Sequence, residues 1–232
     1  MAAAGRWFYV ALALLMAGMV AYGFSRTIDD GLFRPKIPRP PILYLHAAVM
    51  TSWLALFATQ AGLVRARQLA WHRTLGVAGL CLGAAIPLVG VPTAIIMRRF
   101  DIDHLGDHLP IIAVPLGDMV MFTGFLSLAA LWRKRPEFHR RLMFLATVSI
   151  IDAGLGRFPV PDAWFDAGWF YWVIDALILL AMARDLLLTR RIHPVFAYGL
   201  PALVLCQAVV FWLWHAPPAP WLDLMQSLVG AG

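Results

Sequence analysis

Seven apolar blocks separated by short loops constrain this chain more than any other feature of its sequence. A membrane-spanning helix needs about 20 consecutive apolar residues, and such runs lie at 7–24, 42–64, 74–97, 110–132, 142–158, 164–184 and 195–214. With 61% hydrophobic and only 14% charged residues, the chain lacks the charge with which a soluble domain covers its surface. The sequence predicts an all-α, polytopic transmembrane bundle of seven spans in one domain, 1–232. Because 142–158 is short and interrupted by charges, six spans are the fallback.

Lys and Arg residues in the loops predict the orientation, since they accumulate on the cytoplasmic side. The predicted cytoplasmic set is Arg6, Arg65, Arg67, Arg73, Arg133, Lys134, Arg135, Arg140, Arg141, Arg184, Arg190 and Arg191. This places the N-terminus in the cytoplasm. The first run lacks a convincing small-x-small cleavage site after it, so it is predicted to be retained rather than removed as a signal peptide. The net charge of +6 is explained by contact with the inner leaflet, so the predicted partner is the lipid bilayer and not nucleic acid.

Composition predicts the structure of three connecting segments. Residues 25–41 contain four prolines and should form an extended loop. Residues 98–109, rich in aspartate and histidine, are also predicted to be a loop. The tail after His215 fits a short interfacial helix.

A short motif occurs at the entry of two predicted helices. Residues 71–75 read Trp-His-Arg-Thr-Leu and residues 138–142 read Phe-His-Arg-Arg-Leu. Both have the form aromatic-His-Arg-x-Leu, 67 positions apart. The spacing suggests a duplicated hairpin unit, 42–97 and 110–158.

These motifs, together with Leu45-His46 and Trp53 in the preceding span, resemble those of uncharacterised bacterial polytopic inner-membrane proteins. More distantly, residues 42–157 are similar to the transmembrane di-haem cytochrome b family of ascorbate-linked reductases. The resemblance implies a bacterial inner (plasma) membrane, electron transfer with a membrane partner such as quinone, and haem b held by histidine pairs. The candidate haem ligands are His46, His72, His139 and His215.

Several ionisable residues lie inside the predicted spans, where they are costly and usually face the bundle interior. His46, Trp53 and Gln60 recur at seven-residue steps and so share one face of the second helix. Asp118 shares a face of the fourth span with Phe122 and Phe125. These faces are predicted to converge in a polar site that opens to the outer side.

Three hypotheses compete for this polar site. The first is b-type haem or a transition metal, with metal candidates His46, His104, His108, Asp118 and Asp152, joined by Asp107. The second is a small transporter or proton relay that uses Asp118, Asp152 and Asp175, with Arg157 as an ion-pair partner of Asp152. The third is a structural or accessory subunit of a larger membrane complex. Phosphate-binding loops, zinc-protease motifs and serine-hydrolase elbows are absent from the sequence, so no enzyme class is selected.

Overall fold

The protein is all-helical throughout the part that the computed structural model describes, residues 3–106 and 109–230, with side chains described from Trp7 onward. The longer helices are α1 (Ala3–Ser25), α2 (Pro41–Arg65), α3 (Leu69–Leu105), α4 (Ala113–Leu131), α5 (Pro136–Val148), α8 (Trp169–Thr189), α9 (Pro194–His215) and α10 (Ala219–Val229). Two short helices, α6 (Asp152–Leu155) and α7 (Asp162–Asp166), lie between α5 and α8. The predicted all-α class is therefore confirmed.

Five of the described helical segments are long and apolar enough to cross a membrane. They are Trp7–Ser25, Pro41–Arg65, Leu69–Leu105, Leu109–Leu131 and Pro194–His215. Large apolar side chains also cover much of the outer surface, as on Leu88, Leu187 and Tyr198, which are 74–79% exposed. Such a surface suits lipid rather than water. The chain thus has the character of a membrane protein.

The predicted fifth span, 142–158, is not one helix. Helix α5 ends at Val148, residues 149–150 form a turn, and α6 contains only four residues. The hydroxyl of Ser149 donates to the carbonyl of Ala146 at 2.9 Å, a local bond that competes with helix continuation. The apolar residues Ile150 and Ile151 hide this break from a hydropathy argument, because hydropathy measures partitioning into lipid and not helix formation.

Two other boundaries differ from the prediction. The predicted loop 98–109 is helical as far as Leu105, where Gly106 takes a positive φ of 67° and ends α3. An ion pair between Arg99 and Asp103, one helical turn apart at 3.7 Å, supports this last part of α3. The predicted span 164–184 is divided by Gly168, whose φ is 66°, so that α8 begins only at Trp169.

The proline-rich segment between α1 and α2 contains a π-helical turn, Asp29–Phe33. The guanidinium of Arg34 binds the carboxylate of Asp29 and closes this turn, with Nε donating to Oδ1 at 2.8 Å. Residues 34–40 have no regular helix or strand, as predicted from their prolines. The predicted tail helix is confirmed as α10.

The described chain divides into two compact units. Unit 1 comprises Met1–Val89 and Ala153–Phe158, and unit 2 comprises Gly90–Asp152 and Pro159–Gly232. In unit 1, α1 packs along α2, and the backbone of α1 closely approaches α6 at Gly23 and Gly154. A methyl group on Gly23 would lie 1.9 Å from the Gly154 carbonyl oxygen.

Unit 2 is a bundle in which α4 packs on α5 and α9, and α8 packs on α9 and α5. Its core is aromatic and aliphatic: Phe122, Phe144, Leu145, Ile178 and Phe196 are completely buried. Helix α10 returns onto the 3-10 turn Leu109–Ile112, where Met225 and Val229 pack on Ile112. This bundle positions the polar groups described next.

Candidate functional site

Two aspartates of unit 2 meet between helices. Asp118 lies on α4, and Asp152 is the first residue of α6, directly after the break that ends α5. Their carboxyl groups lie close enough to interact with each other. Asp118 is brought inward because it shares a helix face with Phe122 and Phe125, which are 0% and 6% exposed. Asp152 itself is only 5% exposed.

A hydrogen bond between two carboxyl groups requires a proton on one of them, because an ionised carboxylate can only accept. Two adjacent negative charges would also repel strongly in an apolar bundle. A proton on one of the two groups would remove this repulsion and would let them form a hydrogen bond.

Tyr171 on α8 lies beside this pair. Its phenol is within electrostatic range of both Asp118 and Asp152, and the residue is 8% exposed. A phenolic hydroxyl can donate and accept hydrogen bonds at the same time. Tyr171 thus places a group of this kind near the carboxyl pair.

A small cavity adjoins the pair on the side of α8 and α9. Its polar lining consists of Asp118, Ser149, Tyr171, Cys206 and Gln207. The cavity has room for about one water molecule. Gly117 allows this close packing, since a methyl group there would lie 2.4 Å from a Val210 methyl carbon on α9. A cavity of this size with several polar groups in its wall suits a bound water.

Asp175, the third predicted relay residue, pairs with α9. The side-chain amide Nε2 of Gln207 donates to its Oδ1 at 3.1 Å. Gln207 also lines the cavity, so it connects Asp175 with the space next to Asp118.

We call Asp118, Asp152, Tyr171, Asp175 and Gln207 the carboxyl cluster. Of the sequence-predicted residues, the structure brings together Asp118 and Asp152 and places Asp175 nearby. Tyr171 and Gln207 were missed.

Arg157, predicted to pair with Asp152, belongs to unit 1. Its guanidinium donates to the carbonyl of Ala153 and lies 4.1 Å from the ring centroid of Phe24. The predicted ion pair joins the two units and stays a prediction. The same holds for the predicted convergence of His46 with Asp118.

Unit 1 contains two of the haem-ligand candidates, His46 and His72. His46 lies near the start of α2, while His72 lies in the first turn of α3, just after the short connection that follows Arg65. The helix between His46 and Arg65 is about 28 Å long at 1.5 Å per residue. These two imidazoles therefore lie at opposite ends of the hairpin and cannot hold one haem together. The predicted inward face of α2 is supported by Trp53, which is 2% exposed.

Unit 2 contains the other described candidates, and each donates a ring N–H to a carbonyl. Nδ1 of His104, His139 and His215 bonds the carbonyl oxygens of Phe100, Ala129 and Phe211 at 2.9, 2.9 and 3.1 Å. Metal-ligating histidines commonly donate their second ring N–H in this way. His139, however, lies at the start of α5, whereas His215 ends α9.

The distance between His139 and His215 excludes them as two ligands of one haem. His193 at the start of α9 touches Phe138, with ring centroids 4.6 Å apart. The 22-residue helix α9, about 33 Å long, separates that end from His215.

The pair His72 and His139 joins the two units and stays a prediction. Asp107 and His108 lie outside the described residues. Within residues 3–106 and 109–230, no three His, Cys, Asp or Glu side chains form a group suited to a metal ion.

A second polar feature of unit 2, a buried ion pair between α5 and α8, was missed by the sequence argument. Arg141 binds Asp185 through Nε–Oδ2 at 2.7 Å and Nη2–Oδ1 at 2.9 Å. Arg141 also donates to the Glu137 carboxylate at 2.7 Å, and Arg184 lies 3.4 Å from Asp185. The available signal was an aspartate directly after the predicted span 164–184, next to an arginine and followed by three leucines.

Comparisons of the chain with protein-family models, curated proteins and solved structures give no match. The resemblance to di-haem cytochromes b thus stays a prediction.

Proposed function

We propose that the protein is a multi-pass protein of a bacterial inner membrane that passes protons through the carboxyl cluster. The observation that carries this proposal is the adjacent pair of carboxyl groups, Asp118 and Asp152, inside a membrane-type bundle. Ionisable groups in such a position are costly and typically mark ion or proton pathways. The proton shared by the pair is the transported species in this proposal.

The surroundings of the pair favour a proton over a metal ion. Tyr171 and a water-sized cavity supply groups that both donate and accept hydrogen bonds. Gln207 and Asp175 continue the polar groups across α9 and α8. A proton can move along such a series by exchange between neighbours, whereas a metal ion needs several ligands around one point.

The seven-span arrangement, with a cytoplasmic N-terminus, is part of the proposal. It adds two crossings to the five apolar segments: α8, which is 21 residues long, and the broken segment formed by α5 and α6. A broken helix is tolerated at membrane depth where it is buried in protein. Here the break lies next to Asp152, and Ser149, Ile150 and Ile151 are buried. The arginine-rich loops support the orientation.

Proton flux into liposomes tests the proposal. Purified protein is reconstituted with a trapped pH-sensitive dye, and a potassium gradient with valinomycin supplies the driving force. We expect flux well above that of empty liposomes. Asp118→Asn and Asp152→Asn should each lower it by about 100-fold or to background, since a proton-transfer group contributes roughly 10²–10⁴-fold.

The matched control is Asp162→Asn, which changes an exposed aspartate of α7 and should leave the flux unchanged. Far-ultraviolet circular dichroism and elution volume verify that each variant is folded. Flux equal to that of empty liposomes, or full flux in Asp118→Asn, would overturn the proposal. A haem or metal site predicts instead an absorption band or bound metal in the same preparation.

A further inference from the structure

One end of unit 2 carries a dense group of exposed cations. They lie in the connection between α4 and α5 and in the connection between α8 and α9: Arg133, Lys134, Arg135, Arg190 and Arg191. We call these five residues the basic rim. All five are exposed.

Contacts inside unit 2 bring the two connections together. The ring of Phe138, just after the first connection, packs on His193 in the second with centroids 4.6 Å apart. The buried pair of Arg141 and Asp185 ties α5 to α8 one to two turns further in. The five cations therefore belong to one surface and not to two separate loops.

The two carboxylates near this surface are engaged by other arginines. Glu137 binds Arg140 and Arg141, and Asp185 binds Arg141 and Arg184. Their charge is thus balanced by cations that are not members of the basic rim. The basic rim keeps a strong positive potential, which attracts anions.

The position of the basic rim selects the kind of anion. It begins two residues after Leu131, where the apolar segment Leu109–Leu131 ends, and its second part lies just before Pro194, where the segment Pro194–His215 begins. Helix ends of this kind lie at the depth of lipid headgroups. Exposed apolar side chains adjoin it, with Leu131 71% and Leu187 78% exposed. The surface thus offers cations for a phosphate and apolar groups for acyl chains.

We propose that the basic rim binds the headgroup phosphate of an anionic phospholipid. Basic surfaces between membrane helices recognise such headgroups. The four arginines can each give a phosphate two parallel hydrogen bonds. The positive charge of the basic rim favours a headgroup with a net negative charge over a zwitterionic one. This inference is independent of the carboxyl cluster.

The test measures the thermal unfolding of the detergent-purified full chain with added short-chain phospholipids. Dioctanoyl phosphatidylglycerol should raise the melting temperature, while the phosphatidylcholine of equal chain length and inorganic phosphate should not. The effect should weaken with salt, as binding between exposed charges does.

Arg190→Gln combined with Arg191→Gln should weaken the apparent affinity for phosphatidylglycerol by about tenfold or more. The triple change of Arg133, Lys134 and Arg135 to Gln should act in the same direction.

Arg67→Gln combined with Arg73→Gln is the matched control. Both residues are exposed, and Arg67 has a φ of 59°, close to the 57° of Arg190. The backbone cost of the two double variants is therefore comparable, and their melting temperatures without lipid identify any loss of folding. An equal shift with phosphatidylcholine, or an equal loss of affinity in the control, would overturn the proposal. A shift produced equally by inorganic phosphate would assign the basic rim to a free anion and would also overturn it.

Discussion

Arg141 and Asp185 form a two-bond ion pair whose side chains are only 3% and 1% exposed. The pair joins residues 44 positions apart and fixes α5 against α8. Burying two charges is expensive, and here the cost is offset by their mutual attraction and by further bonds to Glu137. The pair therefore specifies how the two helices meet.

Breaking this pair on one side should destabilise the protein strongly. Arg141→Leu leaves a buried carboxylate and should lower the free energy of unfolding by about 3–5 kcal/mol. The combined change of Arg141 and Asp185 to Leu should cost less than the sum of the two single changes, because no charge is then left buried. Thermal unfolding in detergent measures these effects. Arg184→Gln, which removes a longer contact to Asp185, is the control, and an equal loss in it would contradict the prediction.

His193 should make stability depend on pH. Burial lowers its pKa in the folded state, and the charges of Arg141 and Arg140 lower it further. The charges of Asp185 and Glu137 raise the pKa, but it remains lowered overall. The folded state thus favours neutral His193, so stability should fall as the pH drops below 6.5, the ordinary pKa of histidine. Glu137 should make stability depend on pH in a lower range. Burial raises its pKa, but the hydrogen bond from Arg141 and the charges of Arg140, Arg141 and His193 lower it overall.

The stabilising contribution of the Glu137 carboxylate should therefore be lost only as the pH falls below 4.5.

His193→Asn removes the pH dependence that comes from His193. The Nδ1 of His193 accepts the Val195 N–H at 3.2 Å and caps α9, and asparagine keeps that cap. We expect a flatter dependence of melting temperature on pH just below 6.5 in this variant. His215→Asn, at the other end of α9, is the control. An unchanged slope in His193→Asn would contradict the assignment.

Hydropathy predicted the continuous apolar helices well. The run 42–64 is α2 (Pro41–Arg65), and 195–214 is α9 (Pro194–His215). Their ends carry prolines at the start and basic residues at the end, which are local signals. The break after Val148 was not predictable in this way, since Ile150 and Ile151 are as apolar as their neighbours.

The site was only partly predictable for a related reason. Asp118 and Asp152 were identified because a charge inside an apolar run needs an explanation. Tyr171 and Gln207 were not identified, because neither residue type is unusual in such a run and their role depends on contacts between helices. Asp185, the partner of Arg141, was missed because this contact also lies between two helices. Sequence spacing predicts the face of one helix and not the facing helix.

The close contact of α1 with α6 should make Gly23 sensitive to substitution. A methyl group at Gly23 would overlap the Gly154 carbonyl oxygen, and this atom is backbone that cannot rotate away. Gly23→Ala should lower stability by about 1–3 kcal/mol, as overpacking does. Gly18, in the same helix, has nothing within 4 Å of that position. Gly18→Ala should therefore be neutral or slightly stabilising by helix propensity. Equal melting temperatures for the two variants would refute the contact.

The proposed sharing of a proton makes Asp118 and Asp152 act as one unit. If so, the double change to Asn should reduce proton flux no further than either single change, because effects of groups that act together are not additive. Infrared difference spectra recorded across a pH titration should lose the same protonated carboxyl band in both single variants. Asp175→Asn, which changes the neighbouring Gln207 contact, should leave that band in place. Two separate bands, each removed by only one variant, would mean that the aspartates titrate independently and that no proton is shared between them.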